Sequence, residues 1–352
     1  MIKSKSAGGL SLFRLCAVWL SLGAVLGARG ATLRLTVNPY ADIDWRRVDQ
    51  HRANLHTHTV ESGGEMFSGE VFKEYAALGY TILALTDHNH CTHWEKAGID
   101  PVKQYGILPV MGQEYSKGHH VCGLFLDHKS ALSENGPLAE EIGGHGGVAV
   151  LNHPGRYWKP AEEGRLPTST KDEYLALVLK HPAIAGIEVF NKNDRYPRDL
   201  LLWDALLGAA MPGRPVWGFA NDDTHERSKI GYSWETFLMD GLTEPAFRSA
   251  LARGRFYLSV KGKAEKAEAY PPIIQSVAHD PAARTLTIRA AADGAVLPEK
   301  SYRWISNGNV VCEGPVLDYG RTPGIVNYVR AELSGEGGTT YTNPFGFSRA
   351  DP

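Results

Sequence analysis

Between about Arg52 and Ala220, apolar residues fall into short runs separated by helix-like stretches. The runs are Thr81 to Leu85, Ile107 to Met111, Val121 to Leu126, Val148 to Leu151, Ile184 to Phe190 and Val216 to Ala220. Several are continuous rather than alternating, as parallel strands buried on both faces require. Between them, Ser68 is placed to cap a helix carrying Val71, Tyr75 and Leu78, which stops at Gly79. Tyr174, Leu175, Leu177 and Val178 space a second helix, and Leu200, Leu201, Trp203, Leu206 and Leu207 a third. Thr243-Glu244-Pro245 reads as an N-cap with a first-turn proline, Phe247 and Leu251 turned inward and Gly254 as the stop. Repeated strand-helix units predict an α/β barrel or an open parallel sheet.

After about Lys263 the pattern changes. Thr285 to Ala290, Tyr302 to Ser306, Val310 to Cys312, Asn327 to Leu333 and Thr339 to Thr342 are short β-type runs divided by Gly, Asn and Pro. The expected organisation is an α/β unit over 31–262 and a small antiparallel β domain over 263–352. Residues 1–30 belong to neither. Lys3, Lys5 and Arg14 precede an apolar stretch from Leu15 to Ala28, no acid occurs before Asp42, and Ala28-Arg29-Gly30 offers a cleavage site. That is the charge order of a signal peptide, so the expectation is export, to the periplasm or beyond. The stretch is shorter than the roughly 20 residues of a spanning helix, so no stable membrane anchor is expected.

With 352 residues, 43% hydrophobic and 22% charged, the chain has length for one large domain and a small one. Its formal charge of −2 becomes about −6 without the four cations of the leader. A mildly acidic chain without a basic block is a poor clamp for long nucleic acid, which favours a small-molecule substrate. Outside the leader only Cys91, Cys122 and Cys312 remain, without a Cys-x-x-Cys, so neither a disulfide framework nor a Cys-rich zinc site follows.

The chemistry lies in histidines and acids at the ends of the apolar runs: Asn54-Leu55-His56-Thr57-His58-Thr59, Thr86-Asp87-His88, Glu114, His120, Asn152-His153-Pro154 and Asp223-Thr224-His225. Residues two apart on a strand share a face, so His56 and His58 converge, as do Asp223 and His225. Imidazole and carboxylate are the ligands that Zn, Mn or Fe prefers. His88, Glu114, His153, Asn191 and Asp223 fall at the C-terminal ends of predicted strands, the end where barrel active sites are built. His120 begins its run, and an antiparallel strand there would bring it to the same face. His119 competes with it, because a one-residue shift exchanges which of the two points inward. The remaining histidines, among them His51, His128, His181 and His279, read as structural.

These motifs occur in the order seen in the polymerase and histidinol phosphatase (PHP) superfamily, and the chain resembles it from residue 52 to about 260. Gly254-Arg255-Phe256-Tyr257-Leu258-Ser259 and Tyr341-Thr342-Asn343-Pro344 are similar to its CehA/McbA (carbaryl hydrolase)-like branch. The resemblance implies a distorted (β/α)7 barrel with two or three divalent ions at its mouth. His56, His58, Glu114 and Asp223 would hold the first; Glu114, His120 and His153 would hold another, with Glu114 bridging. His88 and His225 would belong to a third position. There the chain departs from the pattern, reading Ser62-Gly63-Gly64 where the family places an acid or histidine, with Glu61 and Glu65 as substitutes within reach.

No Gly-x-Ser-x-Gly elbow stands near the cluster, so a metal-activated water is the expected attacker. Asp87 and Asn191 are expected to orient ligands or touch substrate, with His88 and His225 acting on it. Arg156, just after His153-Pro154-Gly155, either neutralises an anion or is a solvated loop arginine. The expected function is hydrolysis of a small phosphoester or short oligonucleotide. Hydrolysis of a carbamate, amide or carboxylic ester, and non-catalytic metal-dependent ligand binding, stay open as alternatives.

Overall fold

A computed structural model describes residues 32–261 and 269–350. The expected signal peptide and the boundary at 262/263 lie outside these residues. The fold is mixed α/β, with a large sheet rich in parallel neighbours and a second, antiparallel sheet. Every apolar run of the first half becomes a strand of the large sheet: Tyr80–Leu85, Leu108–Tyr115, Val121–Leu124, Val148–Leu151, Ile184–Asn191 and Trp217–Asn221. Tyr80–Leu85 lies between Asp49–Asn54 and Leu108–Tyr115, parallel to both. Leu108–Tyr115 is five residues from Val121–Leu124, too few for a crossover helix, and the two strands pair antiparallel. Val121–Leu124 is again antiparallel to Val148–Leu151, after which the pairing returns to parallel through Ile184–Asn191 and Trp217–Asn221. This one reversal brings His120, at the start of its strand, level with Glu114 near the end of the preceding one.

Helices Ser68–Ala77, Asn135–Gly144, Thr168–Lys180, Asp199–Ala210 and Glu244–Ala252 flank the sheet. Thr243 caps the last as expected, accepting from Ala246 N. Ser68 does not cap the first. It is the first helical residue, and Glu70 reaches back so that its carboxylate accepts the Phe67 amide at 3.0 Å. Trp203 is fully buried and its Nε1 donates to Val216 O, which ties its helix to the sheet.

The later β-type runs are split between two sheets. Ser233–Met239 pairs with Asp49–Asn54, Phe256–Val260 with Ser233–Met239, and Gly338–Thr342 with Phe256–Val260. Tyr328–Gly335 follows, and Phe345–Ala350 joins it to Thr32–Val37. Ile273–Asp280, Thr285–Ala292, Ala295–Val296 and Val316–Asp318 form the second sheet.

A buried ion-pair network fastens the later strands to the helix Asp199–Ala210. The Arg330 guanidinium donates to both oxygens of Asp204 at 2.8 Å and to Glu332 Oε1 at 2.7 Å, while Tyr328 OH donates to Asp204 Oδ1. Removing one member of such a network leaves a buried charge uncompensated. Asp204→Ala should therefore lower the unfolding free energy by about 3–5 kcal/mol in urea titrations. An unchanged midpoint would show the network to be energetically idle.

Asp199 opens the same helix beneath Gly155, where a Cβ would meet its carboxylate at 2.8 Å. Burial pushes the Asp199 carboxyl up to about 8, so the folded protein binds its proton more tightly than the unfolded chain. The stabilisation is whole below the ordinary value of 3.8 and is lost as pH rises through about 8. Asp199→Asn should flatten the decline in melting temperature across that window, and an identical pH profile would contradict this.

Candidate metal centre

Strand Asp49–Asn54 runs on into Leu55 to Thr59, and backbone hydrogen bonds stitch this segment to its neighbours. His58 N donates to Thr224 O at 3.0 Å, Thr86 N to Thr57 O at 2.8 Å, Glu114 N to Thr86 O at 3.1 Å and Asn152 N to His120 O at 3.0 Å. Single parallel bridges link Thr57 to Thr224 and His88 to Glu114. The separated motifs thereby become one continuous rim. His153 and Asp223 turn inward from it on left-handed backbone, at φ of 30° and 45°, a conformation that non-glycine residues rarely keep without a compensating role.

Both leading histidines are held through Nδ1. The His56 Nδ1 proton points to Glu188 Oε1 at 2.9 Å. His58 Nδ1 lies 3.2 Å from Ser62 Oγ, whose own hydroxyl donates to Asp87 Oδ1 at 2.6 Å, so the serine oxygen accepts from His58. With the proton on Nδ1 in each ring, both Nε2 atoms carry lone pairs, and they stand 3.2 Å apart. Asp223 Oδ1 lies 3.2 Å from His58 Nε2 and 3.6 Å from His56 Nε2. Glu114 closes the group, with Oε1 at 3.3 Å from His56 and Oε2 at 3.5 Å from His58.

Lone pairs and carboxylate oxygens facing one another in a dry site repel unless a cation sits among them. A tetrahedral ion with bonds of about 2.0–2.1 Å sets its donors about 3.3 Å apart, close to the 3.2–3.6 Å separating His56 Nε2, His58 Nε2 and Asp223 Oδ1. The residues therefore fit a divalent ion on donor chemistry and on distance.

Glu114 also faces a second group. Its Oε1 collects His120 Nδ1 at 2.8 Å, Asn152 Nδ2 at 2.9 Å and His153 Nε2 at 3.2 Å, and its Oε2 lies 2.8 Å from His88 Nδ1. His88, Glu114 and His120 offer ligand atoms close enough to share an ion, and so do His58, His88 and His225. His58 thus stands with His88 and His225 at the position for which the sequence showed no third ligand. Neither glutamate of that loop substitutes for it: Glu61 is exposed and lies nearest His90 at 3.9 Å, and Glu65 accepts the Arg227 amide.

Charge states suit ligation. Burial alone would raise the Glu114 carboxyl, but His56, His120 and His153 hold it well below the usual range. Asp223 is held down against burial in the same way by His56 and His58. Burial pushes His58 down to about 4 and lowers His120 and His225, leaving these imidazoles neutral and free to ligate. His56 differs. Burial opposes its proton, yet Cys122 and then the carboxylates of Glu114, Asp223 and Glu188 raise it well above its usual value. Burial in turn pushes the Cys122 thiol up to about 12.

Asp87 falls on the orienting side of its expected roles, and Arg156 on the exposed side of its own. Asp87 accepts from Thr59 N, Thr59 Oγ1, Ser62 Oγ and Thr92 Oγ1, so its carboxylate is committed to bracing the rim and not to substrate. Arg156 is exposed, with its guanidinium 5.8 Å from the Tyr157 ring centre and its charge acting on His120. Asn191 is in the site, donating to Glu188 Oε2 at 3.0 Å and Asp223 Oδ2 at 3.2 Å. His119 stacks on Tyr157, leaving His120 as the inward member of that pair.

Sequence reasoning missed Glu188, which is fully buried and grouped with His56 and His153, and it missed the hydroxyl of Ser62. A lone carboxylate inside the apolar run Ile184 to Phe190 was the available signal, since a buried acid requires a partner.

No protein-family model matches the chain, and no curated protein matches it. Among solved structures, a two-domain protein of Bacteroides vulgatus containing a predicted PHP-like metal-dependent phosphoesterase is similar at 15% identity and a TM-score of 0.49, covering 88% of this chain and 99% of that one. A putative metal-dependent phosphoesterase of Bifidobacterium adolescentis is similar at 16% identity and a TM-score of 0.37, over 57% of this chain and 96% of that one. The lesion-specific endonuclease PfuEndoQ of Pyrococcus furiosus is similar at 14% identity and a TM-score of 0.42, over 58% of this chain and 56% of that one.

Glu188→Gln should weaken metal affinity by about 10–100-fold without unfolding the chain, because it removes the carboxylate that fixes the His56 ring. Competition against a fluorescent chelator reads the loss. Unaltered affinity would return Glu188 to a packing role.

Proposed function

We propose that this chain is an exported, metal-dependent hydrolase of small phosphoesters, built as a distorted seven-stranded PHP-type barrel in the manner of the CehA/McbA-like branch. The observation that carries the reading is the position of Glu114 between two imidazole groups, with Oε1 facing His56, His120 and His153 and Oε2 facing His58 and His88. His56, His58, Glu114 and Asp223 would hold one divalent ion, zinc, manganese or iron. Glu114, His120 and His153 would hold a second, with His88 at its side. Ions held there supply Lewis acidity and generate a nucleophile from water at neutral pH.

The chain's own residues supply orientation and proton handling. Glu188 and Ser62 keep the His56 and His58 rings turned with Nε2 inward. Asn191 aligns Glu188 with Asp223. His88 and His225 are half-buried; His225 Nδ1 lies 3.1 Å from the Asp223 carbonyl, and His88 Nδ1 stands 2.8 Å from Glu114 Oε2 without forming a hydrogen bond. Their Nε2 atoms are the groups that take a proton from the attacking water and return it to the leaving oxygen.

Leaderless protein reconstituted with zinc or manganese should hydrolyse phosphomonoesters or phosphodiesters when assayed beside carboxylic esters and carbamates. Asp223→Ala and Glu114→Ala should abolish that turnover, and His225→Ala should lower kcat by about 10²–10⁴-fold. Activity confined to esters or carbamates would move the substrate class. Silence on every substrate with metal bound would leave a binding protein.

A further inference from the structure

Beside the imidazole-carboxylate cluster lies a cavity of about 460 Å³ bounded by Lys192, Arg195, Lys229, Glu226, Asp223 and His225. It shares Asp223 and His225 with the metal centre, and its other walls carry three cations beside Asn193, Glu226 and Tyr232. The approach to it is built on unusual backbone. Lys192, Asn193 and Asp194, directly after strand Ile184–Asn191, adopt left-handed conformations at φ of 49°, 57° and 64°. Three successive non-glycine residues in that region are held there by the surrounding structure, and such strain gathers at functional loops.

The turn brings the Lys192 ammonium to 3.2 Å from Asp223 Oδ2. His56 and His58 approach the other oxygen, Oδ1, so Lys192 and the imidazoles lie on opposite sides of one carboxylate. Arg195 and Lys229 are exposed and, among the described residues, form no ion pair with a carboxylate. Lys192 is answered by Asp223, whereas Arg195 and Lys229 share the cavity with Glu226 as its one further carboxylate. An anion drawn into this cavity lies on the Oδ2 side of Asp223, opposite the imidazoles that approach Oδ1.

We propose that the cavity is a subsite for a second anionic group, carboxylate or phosphate, carried by the leaving portion of the substrate. The preferred substrates are then small phosphoesters bearing two anionic groups. The inference rests on the phosphoester reading given above. Arg195 supplies a planar donor fork suited to either anion, Lys229 a point charge, and Lys192 links the subsite to the metal centre.

Two substrate pairs isolate the second charge: 3-phosphoglycerate against glycerol 3-phosphate, and fructose 1,6-bisphosphate against fructose 6-phosphate. With metal-loaded protein, the doubly anionic member of at least one pair should show a KM about tenfold lower. An Arg195→Ala/Lys229→Ala double variant should erase that difference while still turning over the singly anionic member. The pair that responds tells carboxylate from phosphate. Calorimetric binding of all four compounds to wild type and variant reads the subsite independently of turnover. Equal affinities within both pairs for wild type, or a preference that survives in the double variant, would overturn the proposal. Charge-dependent binding without turnover would keep the subsite and discard the phosphoester reading, whereas turnover without charge preference would do the reverse.

Discussion

His56 Nε2 and His58 Nε2 are held 3.2 Å apart with the carboxylates of Asp223 and Glu114 closing around them. All four side chains are buried, so water does not screen the repulsion between lone pairs and charged oxygens. Such a set is stable only when positive charge lies inside it. The raised His56 and the depressed Glu114 and Asp223 express the same demand, since a proton on one imidazole partly answers what a divalent ion answers fully.

Much of the surrounding structure serves to hold that arrangement. Glu188 and the Ser62–Asp87 pair fix the two Nδ1 atoms, and Asn191 ties Glu188 to Asp223. The rim of backbone hydrogen bonds from Thr224 through Thr57 and Thr86 to Glu114 sets the spacing between elements far apart in sequence. The antiparallel strand Val121–Leu124 brings His120 to the same edge. Further from the site, Asp204 and Arg330 bind the later strands to the helix that begins beneath the His153 loop. Stability and site geometry thus share one scaffold.

Most of this was legible in the sequence where the signal was local. Continuous apolar runs located the parallel strands because a strand buried on both faces has no polar side to show. The histidines and acids at their ends located the cluster because every parallel strand delivers its C-terminal residue to one edge. Long-range pairing was not legible. Nothing in Thr32 to Val37 or Tyr328 to Gly335 announces that these strands would extend the same sheet as Asp49–Asn54. For Asp87 the motif left open whether it orients a ligand or touches substrate, because a motif position does not reveal how many hydroxyls and amides its carboxylate will accept. The Ser62 hydroxyl escaped notice for a related cause: the motif draws attention to the ligand absent from that loop, while the serine orients an existing one.

The central claim is that His56, His58, Glu114 and Asp223 form one ligand shell. Anomalous diffraction from crystals soaked in zinc, recorded at the zinc edge, tests it most directly. The account predicts a strong peak about 2.0–2.1 Å from both Nε2 atoms and from an oxygen of each carboxylate. A map with no peak among these four residues, or with the metal only at surface histidines such as His128 and His145, would contradict it.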